Sequence, residues 1–454
     1  MIEARGVRVP MRDGACLVTD ACRPEETGRW PVLLLRTPYG RGAVVPGAER
    51  ERLVEAGFAV VAQDCRGCFE SEGQWSYVRG EVEDGYDTVE WAAAQPWSDG
   101  RVGMFGASYM GNAQWMAAIA RPPHLVAIAP ECCPADYWTA SFEPGGVFRL
   151  ALRVGWASSF AASMASHWDL HDERLAAIDR ASTQRYEALA RGDRDGALAA
   201  GAGVREVLHG IYRTRPFRDV ASWHGRSRVL EEVFDHERRA DAHWRRTNPS
   251  SHYDVLDLPA VHVAGWFDVH LAGTLENFTQ MRRQAPTERA RRAQRLVVGP
   301  WAHWDPQDHL VGDADFGAAA ALDTVQLRIR WFAHWLQDGP DPGWAPVRIF
   351  VMGENAWRDE QEWPLARARA TPWYLREGGR LDPGPPGGGE RPDGYAFDPR
   401  TPVPTVGGRL LALGEVAGPR RQPAAGSRPD VLAYASDPLD EPLEVSCKVL
   451  AVLL

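Results

Sequence analysis

Four short runs decide what this chain can become: PVLLLRTPYG (Pro31–Gly40), FAVVAQDCRG (Phe58–Gly67), RVGMFGAS (Arg101–Ser108) and LVAIAP (Leu125–Pro130). Each opens with apolar residues in succession instead of alternating them with polar ones. Such runs read as strands buried on both faces of a sheet. Helical stretches separate them: ERERLVEAG (Glu49–Gly57), EVEDGYDTVEWAAAQ (Glu81–Gln95) and YMGNAQWMAAIA (Tyr109–Ala120). This alternation predicts an α/β fold with a doubly wound, mostly parallel sheet. VRVP (Val7–Pro10) and ACLVTDACRP (Ala15–Pro24) add two strands in front.

From about Cys132 to Ser251 the pattern changes to helical spacing rich in Trp, Ala, Arg and Asp, with no clear strand. We read a helical cap inserted into the α/β unit. The strand–helix pattern then resumes with PAVHVAGWFD, LAGTLENFTQMRRQ, RLVVGPWAHW and LDTVQLRIRWFAHWLQDG. After Pro346, VRIFVMG and TPWYLRE read as short strands beside a Gly/Pro-rich loop, which predicts a β-sandwich. The expected division is 1–131 and 252–340 for the α/β unit, 132–251 for the cap and 341–454 for the β domain.

Composition prunes the chemistry. A net charge of −10 argues against a nucleic-acid binder. The N-terminus has no apolar signal core, and no run of about 18 apolar residues could span a membrane. Seven scattered cysteines, an odd number, read as reduced thiols in a cytoplasm. Lys448 is the only lysine. P-loop, Schiff-base and Ser-Lys chemistry all need a lysine in the site, so none of them can be built here.

The segment GMFGASYMGN (Gly103–Asn112) holds Ser108 between a strand and a helix. It departs from the G-x-S-x-G elbow, with Met110 in the place of the second glycine and Gly111 one step later. Acyl transfer needs a base and an acid that orients it. Asp268 follows the strand AVHVAGW and His303 follows RLVVGPW, which gives the order Ser, acid, His. The backbone N–H of Tyr109 is one candidate oxyanion donor, and the Tyr39 phenol, in the loop RTPYG, is the second. Cys65 and Cys68 form a C-x-x-C that reads as a strand-exit turn. His167 and His171, four apart, lack the further ligands that zinc needs.

GASYMG resembles the elbow of the bacterial cocaine esterase and X-Pro dipeptidyl-peptidase family, in which tyrosine follows the nucleophile and the glycine comes one place late. VPMRDG, RTPYG, QDCRGCFESEG, SDGRVGMFG, AGWFD, VGPWAH, DPRTPVPTVGG and SDPLDEPLEV also look like segments of that family, in order along nearly the whole chain. The resemblance implies an α/β-hydrolase domain, an inserted helical cap and a C-terminal jelly-roll. By position it makes Ser108 the nucleophile, His303 the base, Asp268 its orienter, and Tyr39 and Tyr109 the oxyanion hole. Phe142, Trp156 and Leu411 resemble positions lining the acyl pocket, and Trp266, Phe267 and His270 are placed there with them. Measured against the family, the jelly-roll looks incomplete and the chain truncated.

The expected activity is hydrolysis of carboxylic esters by Ser-His-Asp acyl transfer, with no cofactor and no metal. Peptidase, amide or β-lactam side-chain acylase activity stays open, as does an inactive remnant. The amino-acid ester hydrolases of the family carry two acids just after the catalytic Asp. Here Val269, His270 and Leu271 follow, which favours an uncharged acyl group. The expected partner is a small ester or amide; no nucleic acid or membrane is expected, and a homodimer is left open.

Overall fold

In the computed structural model the apolar runs line up in one ten-stranded sheet. The structure describes all residues except 78–79, 144, 192, 215–227, 304–305, 412–415, 424–426, 447–448 and 452–454; Lys448 and the end of the tail lie outside the described residues. The chain opens with β1 (Ile2–Pro10), β2 (Cys16–Arg23), β3 (Trp30–Thr37), β4 (Ala59–Asp64), β5 (Ser98–Ala107) and β6 (Leu125–Glu131). β7 (Ala260–Gly265), β8 (Gln294–Gly299), the short pair β9 (Leu310–Val311) and β10 (Ala314–Asp315), then β11 (Val347–Val351) and β12 (Ala356–Glu360) follow. The sheet order is β1-β2-β4-β3-β5-β6-β7-β8-β11-β12. β4 through β11 run parallel, and antiparallel strands close both edges.

Both faces of this sheet are apolar, as the unbroken runs require. In β3, Val32 and Leu34 face one side while Leu33 and Leu35 face the other, and all four are buried. The first side packs on α2 (Glu81–Ala93) and α3 (Tyr109–Ala120) through Val89, Ala92 and Trp115. The second packs on α1 (Gly47–Glu55) and on a long helix, Thr324–Leu336, through Leu53, Val54, Trp331 and Phe332. After β3 the chain builds β4 on one side and β5 on the other. The crevice at the carboxyl ends of β3 and β5 is therefore the topological switch point, where α/β sheets bind ligands.

Between β6 and β7 lie α4 (Leu150–Ser163), α5 (Ala165–Trp168), α6 (Glu173–Ala190), α7 (Arg194–Tyr212), α8 (Val229–Asp235) and α9 (Ala242–Arg245), with no strand among the described residues. Trp75, Tyr109, Phe160, Trp168 and Trp244 share one core that ties this cap to the carboxyl edge of the sheet. After β7 come α10 (Leu271–Gln284) and α11 (Glu288–Arg292), and the helix at Thr324–Leu336 is α12. Among the described residues no helix is long and apolar enough to cross a membrane.

One strand sits elsewhere than expected. VRIFVMG, read as the start of the C-terminal sandwich, supplies β11, which pairs in parallel with β8 through Val347–Leu296 and Ile349–Val298. Apart from the exposed Arg348, its residues are apolar on both faces: Val347 and Ile349 join Phe278, while Phe350 joins Val311 and Phe316. A strand buried on both sides belongs inside the sheet. Beyond it, β13 (Tyr374–Arg376) and β14 (Arg380–Asp382) form an antiparallel ribbon. Further extended segments meet at Arg380–Ala435 and Gly408–Gly418.

His262 sits in the middle of β7, 1% exposed, with Nε2 2.9 Å from Gln294 Oε1. Burial pushes its pKa down to about 4. Burial, aided by the charge of His303, pushes His270 down to about 3. In each case the unfolded chain takes up a proton near pH 6.5 that the folded chain refuses until far lower pH. Stability is therefore full above pH 6.5 and falls as the pH drops toward 4. His262 contributes a slope of up to about 1.4 kcal/mol per pH unit. Urea unfolding between pH 4 and 7 reads this slope, and His262→Gln flattens it.

Candidate active site

Ser108 is held at the top of β5 in a strained turn, with φ 58° and ψ −122°. Such a conformation costs a non-glycine residue about 1–3 kcal/mol and survives only where its surroundings enforce it. Here the Ser108 N–H donates to Glu131 O at 2.8 Å, and Asn112 N–H donates to Ser108 O at 2.9 Å. The late glycine of the elbow has a steric reason. A Cβ on Gly111 would lie 2.1 Å from Cys133 Sγ and 3.1 Å from Glu131 O, because α3 crosses the exit of β6 there. Met110, standing where the usual elbow has glycine, is buried with Leu33, Leu35 and Phe105.

Asp268 and His303 come together because the exits of β7 and β8 run side by side. Trp266 N–H donates to Gly299 O at 2.8 Å and Phe267 N–H to Trp301 O at 2.9 Å. A Cβ on Gly265 would lie 2.0 Å from Trp301 O, so only glycine permits this approach. The result is a continuous line of bonds. His303 Nδ1 lies 2.8 Å from Asp268 Oδ1, and His303 Nε2 lies 2.9 Å from Ser108 Oγ. Asp268 is fully buried, His303 nearly so, and Ser108 half-buried. The His270 N–H donates to Asp268 Oδ1 at 3.0 Å. Burial alone would raise the Asp268 carboxyl. The charge and hydrogen bond of His303, with smaller help from His270, hold it below the ordinary carboxylate value. It is thus an anion facing Nδ1, which puts the ring proton there and leaves Nε2 to accept from the serine hydroxyl.

Tyr39 leaves the end of β3 half-buried, its ring edge-on to Tyr109 with centroids 6.3 Å apart. Trp156 Nε1 donates to the Tyr39 hydroxyl at 3.0 Å, so the phenol is fixed from the cap side. The N–H of Tyr109 is the first of α3, where no carbonyl of the same helix can reach it. The Tyr109 side chain points inward. Its hydroxyl donates to Glu81 Oε1 at 3.3 Å, and Glu81 pairs with the buried Arg36. Burial, then the Glu81 charge, push this phenol well above its ordinary value.

The expected pocket residues separate. Trp156 meets Tyr39, and the His270 ring lies 5.4 Å from that of His303. Phe142 is buried in the cap, stacked on Trp138 at 5.1 Å. Trp266 donates to Phe350 O at 2.7 Å and packs with Trp363, and Phe267 joins Phe316 and Phe350. All three serve apolar cores; backbone bonds to the β8 exit turn Trp266 and Phe267 that way, while Phe142 N–H bonds Trp138 O within the cap. Leu411 is half-buried in the C-terminal segment. Cys65 and Cys68 are buried free thiols in a turn closed by Cys68 N–H to Cys65 O at 3.1 Å. His167 packs on Phe69 and His171 bonds Asp169, so the two do not converge.

Two features escaped the sequence reading. Cys132 brings its Sγ within 4.8 Å of ligand atoms of both Asp268 and His303, a trio with the donor chemistry to hold a metal ion. Arg36, a charge inside an apolar strand, bonds Gln63 at 2.8 Å and Glu81 beneath the elbow. A guanidinium interrupting PVLLLRTPYG was the available signal for the second. Cys132 left none, since it acts through a tertiary approach.

The fold and the comparisons with known proteins define the class, a serine hydrolase on an α/β-hydrolase sheet. The chain belongs to the X-Pro dipeptidyl-peptidase (S15) family, whose profile matches residues 13–305. The profile of the X-Pro dipeptidyl-peptidase C-terminal non-catalytic domain matches residues 342–453. The cocaine esterase of Rhodococcus sp. (strain MB1 Bresler) is 34% identical over 472 residues, spanning 99% of this chain and 77% of that protein. An α-amino acid ester hydrolase structure is 26% identical with a TM-score of 0.71, covering 98% of this chain and 74% of that one. An aminopeptidase from a marine sediment archaeon, 23% identical with a TM-score of 0.72 over 97% of this chain and 72% of that one, shares the fold.

Proposed function

We propose that this chain hydrolyses small-molecule carboxylic esters by two-step acyl transfer, with Ser108 as nucleophile. The observation that carries the reading is the bonded line from Ser108 Oγ through His303 to Asp268. His303 takes the serine proton as Oγ attacks the carbonyl, a form of help typically worth about 10²–10⁴-fold. The Tyr109 N–H and the Tyr39 hydroxyl receive the charge that develops on the carbonyl oxygen. His303 returns its proton to the leaving alcohol, and water repeats the sequence on the acyl-enzyme. The seven scattered cysteines, an odd number, fit a reducing cytoplasm.

Esters are preferred over X-Pro peptides because Val269, His270 and Leu271, and no acid, stand just after Asp268, where an α-ammonium would be held. Hydrolysis rates for 4-nitrophenyl acetate, butyrate and benzoate, set beside a Gly-Pro anilide, test this. Any of the three esters should turn over faster than the anilide, and the reverse order would overturn the reading. Tyr39→Phe removes one oxyanion donor and leaves the ring. It should lower kcat by about 10²–10³-fold with little change in KM, since the bond matters only as charge develops.

A further inference from the structure

α4 carries a group that acyl transfer does not use. Arg153, in its first turns, is 4% exposed. Its Nε donates to Ala140 O at 3.0 Å and its Nη2 to the Tyr77 hydroxyl at 2.7 Å. The guanidinium lies over the Tyr77 ring, 4.7 Å from its centroid, and 5.9 Å from the centroid of Trp156. No carboxylate among the described residues pairs with it, and Nη1 makes no hydrogen bond among them. Charges this deep are almost always paired, because losing hydration costs several kcal/mol per ion.

The unpaired charge borders the proposed site. Trp156, next to the guanidinium, is the residue that bonds the Tyr39 hydroxyl, and it stacks on the Tyr109 ring at 6.4 Å. The charges of Arg153 and Arg149 both reach His270, the neighbour of His303. Arg149, one turn earlier, has its Nε 2.9 Å from Glu143. Glu143 thus answers Arg149, while Arg153 faces no carboxylate among the described residues.

The sequence led us to expect an uncharged acyl group because nothing follows Asp268 that could hold an ammonium. The structure goes further toward the opposite charge. We propose that Arg153 is the counter-charge for a carboxylate on the acyl part of the substrate, and that the chain acts on monoesters of dicarboxylic acids. This rests on the acyl-transfer reading above. A carboxylate there would complete the missing pair through a planar, charge-assisted contact. It is assigned to the acyl side, and an ester with its carboxylate on the alcohol side probes the other placement. Ser108 forms the acyl bond, the alcohol leaves with the proton from His303, and water then frees the dicarboxylate. The second carboxylate takes no part in bond making.

The test compares monoethyl glutarate, ethyl pentanoate and 3-(pentanoyloxy)propanoate, which carries its carboxylate on the alcohol side. The expected kcat/KM for monoethyl glutarate is at least tenfold above that for ethyl pentanoate. Arg153→Met should collapse that ratio at least tenfold, and Arg153→Lys should restore part of it. An unchanged ratio in Arg153→Met, or a preference for the alcohol-side carboxylate, overturns the inference. Calorimetry on Ser108→Ala supplies a readout free of turnover: monoethyl glutarate should bind at least tenfold more tightly than the uncharged ethyl pentanoate, and equal binding overturns the inference. Tight monoethyl glutarate binding with no turnover of any ester would count against acyl transfer and leave the charge pairing standing.

Discussion

Ser108→Ala should lower kcat/KM for 4-nitrophenyl butyrate by at least about 10⁴-fold, with the fold and melting behaviour retained. Serine already occupies φ 58° with a Cβ in place, so alanine adds no new backbone demand. The anchoring bonds of the elbow, from Ser108 N–H to Glu131 O and from Asn112 N–H to Ser108 O, are backbone bonds and persist. On the proposed reading, what is lost is the atom that attacks. On that reading the residual rate would come from binding and from the Tyr39 and Tyr109 donors, which cannot replace a nucleophile. A loss below tenfold, measured with initial rates on protein of matched folded fraction, would place the chemistry elsewhere.

Asp268→Asn should cost about 10⁴-fold in kcat with KM nearly unchanged. Its Oδ1 receives both His303 Nδ1 and the His270 N–H. An amide can turn its NH₂ toward Nδ1, which moves the ring proton to Nε2. The imidazole would then offer Ser108 a proton when it must take one. The substitution also removes the anion that faces the imidazolium formed in the transition state, in a place water does not reach. Asparagine is nearly isosteric with aspartate, so the packing around this fully buried side chain should stand. Steady-state kinetics separate the two parameters; a rise in KM at constant kcat would assign Asp268 to binding.

Much of this was legible in the sequence, and for physical reasons. Runs such as PVLLLRTPYG can only be strands with both faces covered, and the sheet repeats that pattern. Ser108, Asp268 and His303 each follow such a strand by a step or a few, and strand ends converge on one edge. Gly111 was legible as an anomaly but not as a cause, because its reason is a sulfur atom on another element. The same limit hid the place of VRIFVMG. A short apolar strand carries no mark of which sheet it joins, and pairing with β8 decided it. Trp266 and Phe267 face cores because backbone contacts between the β7 and β8 exits set their direction, and Phe142 because it packs on Trp138 inside the cap. Arg153 gave no sign in the sequence, since an arginine in a helix is ordinary until its depth, and the lack of a carboxylate beside it among the described residues, are seen.

The most direct measurement is the mass of the intact chain, and of its peptides, after reaction with a fluorophosphonate ester. The account predicts one phosphonyl adduct on the peptide containing Ser108, absent in Ser108→Ala. An unmodified Ser108 in folded protein, or an adduct on another residue, would contradict it.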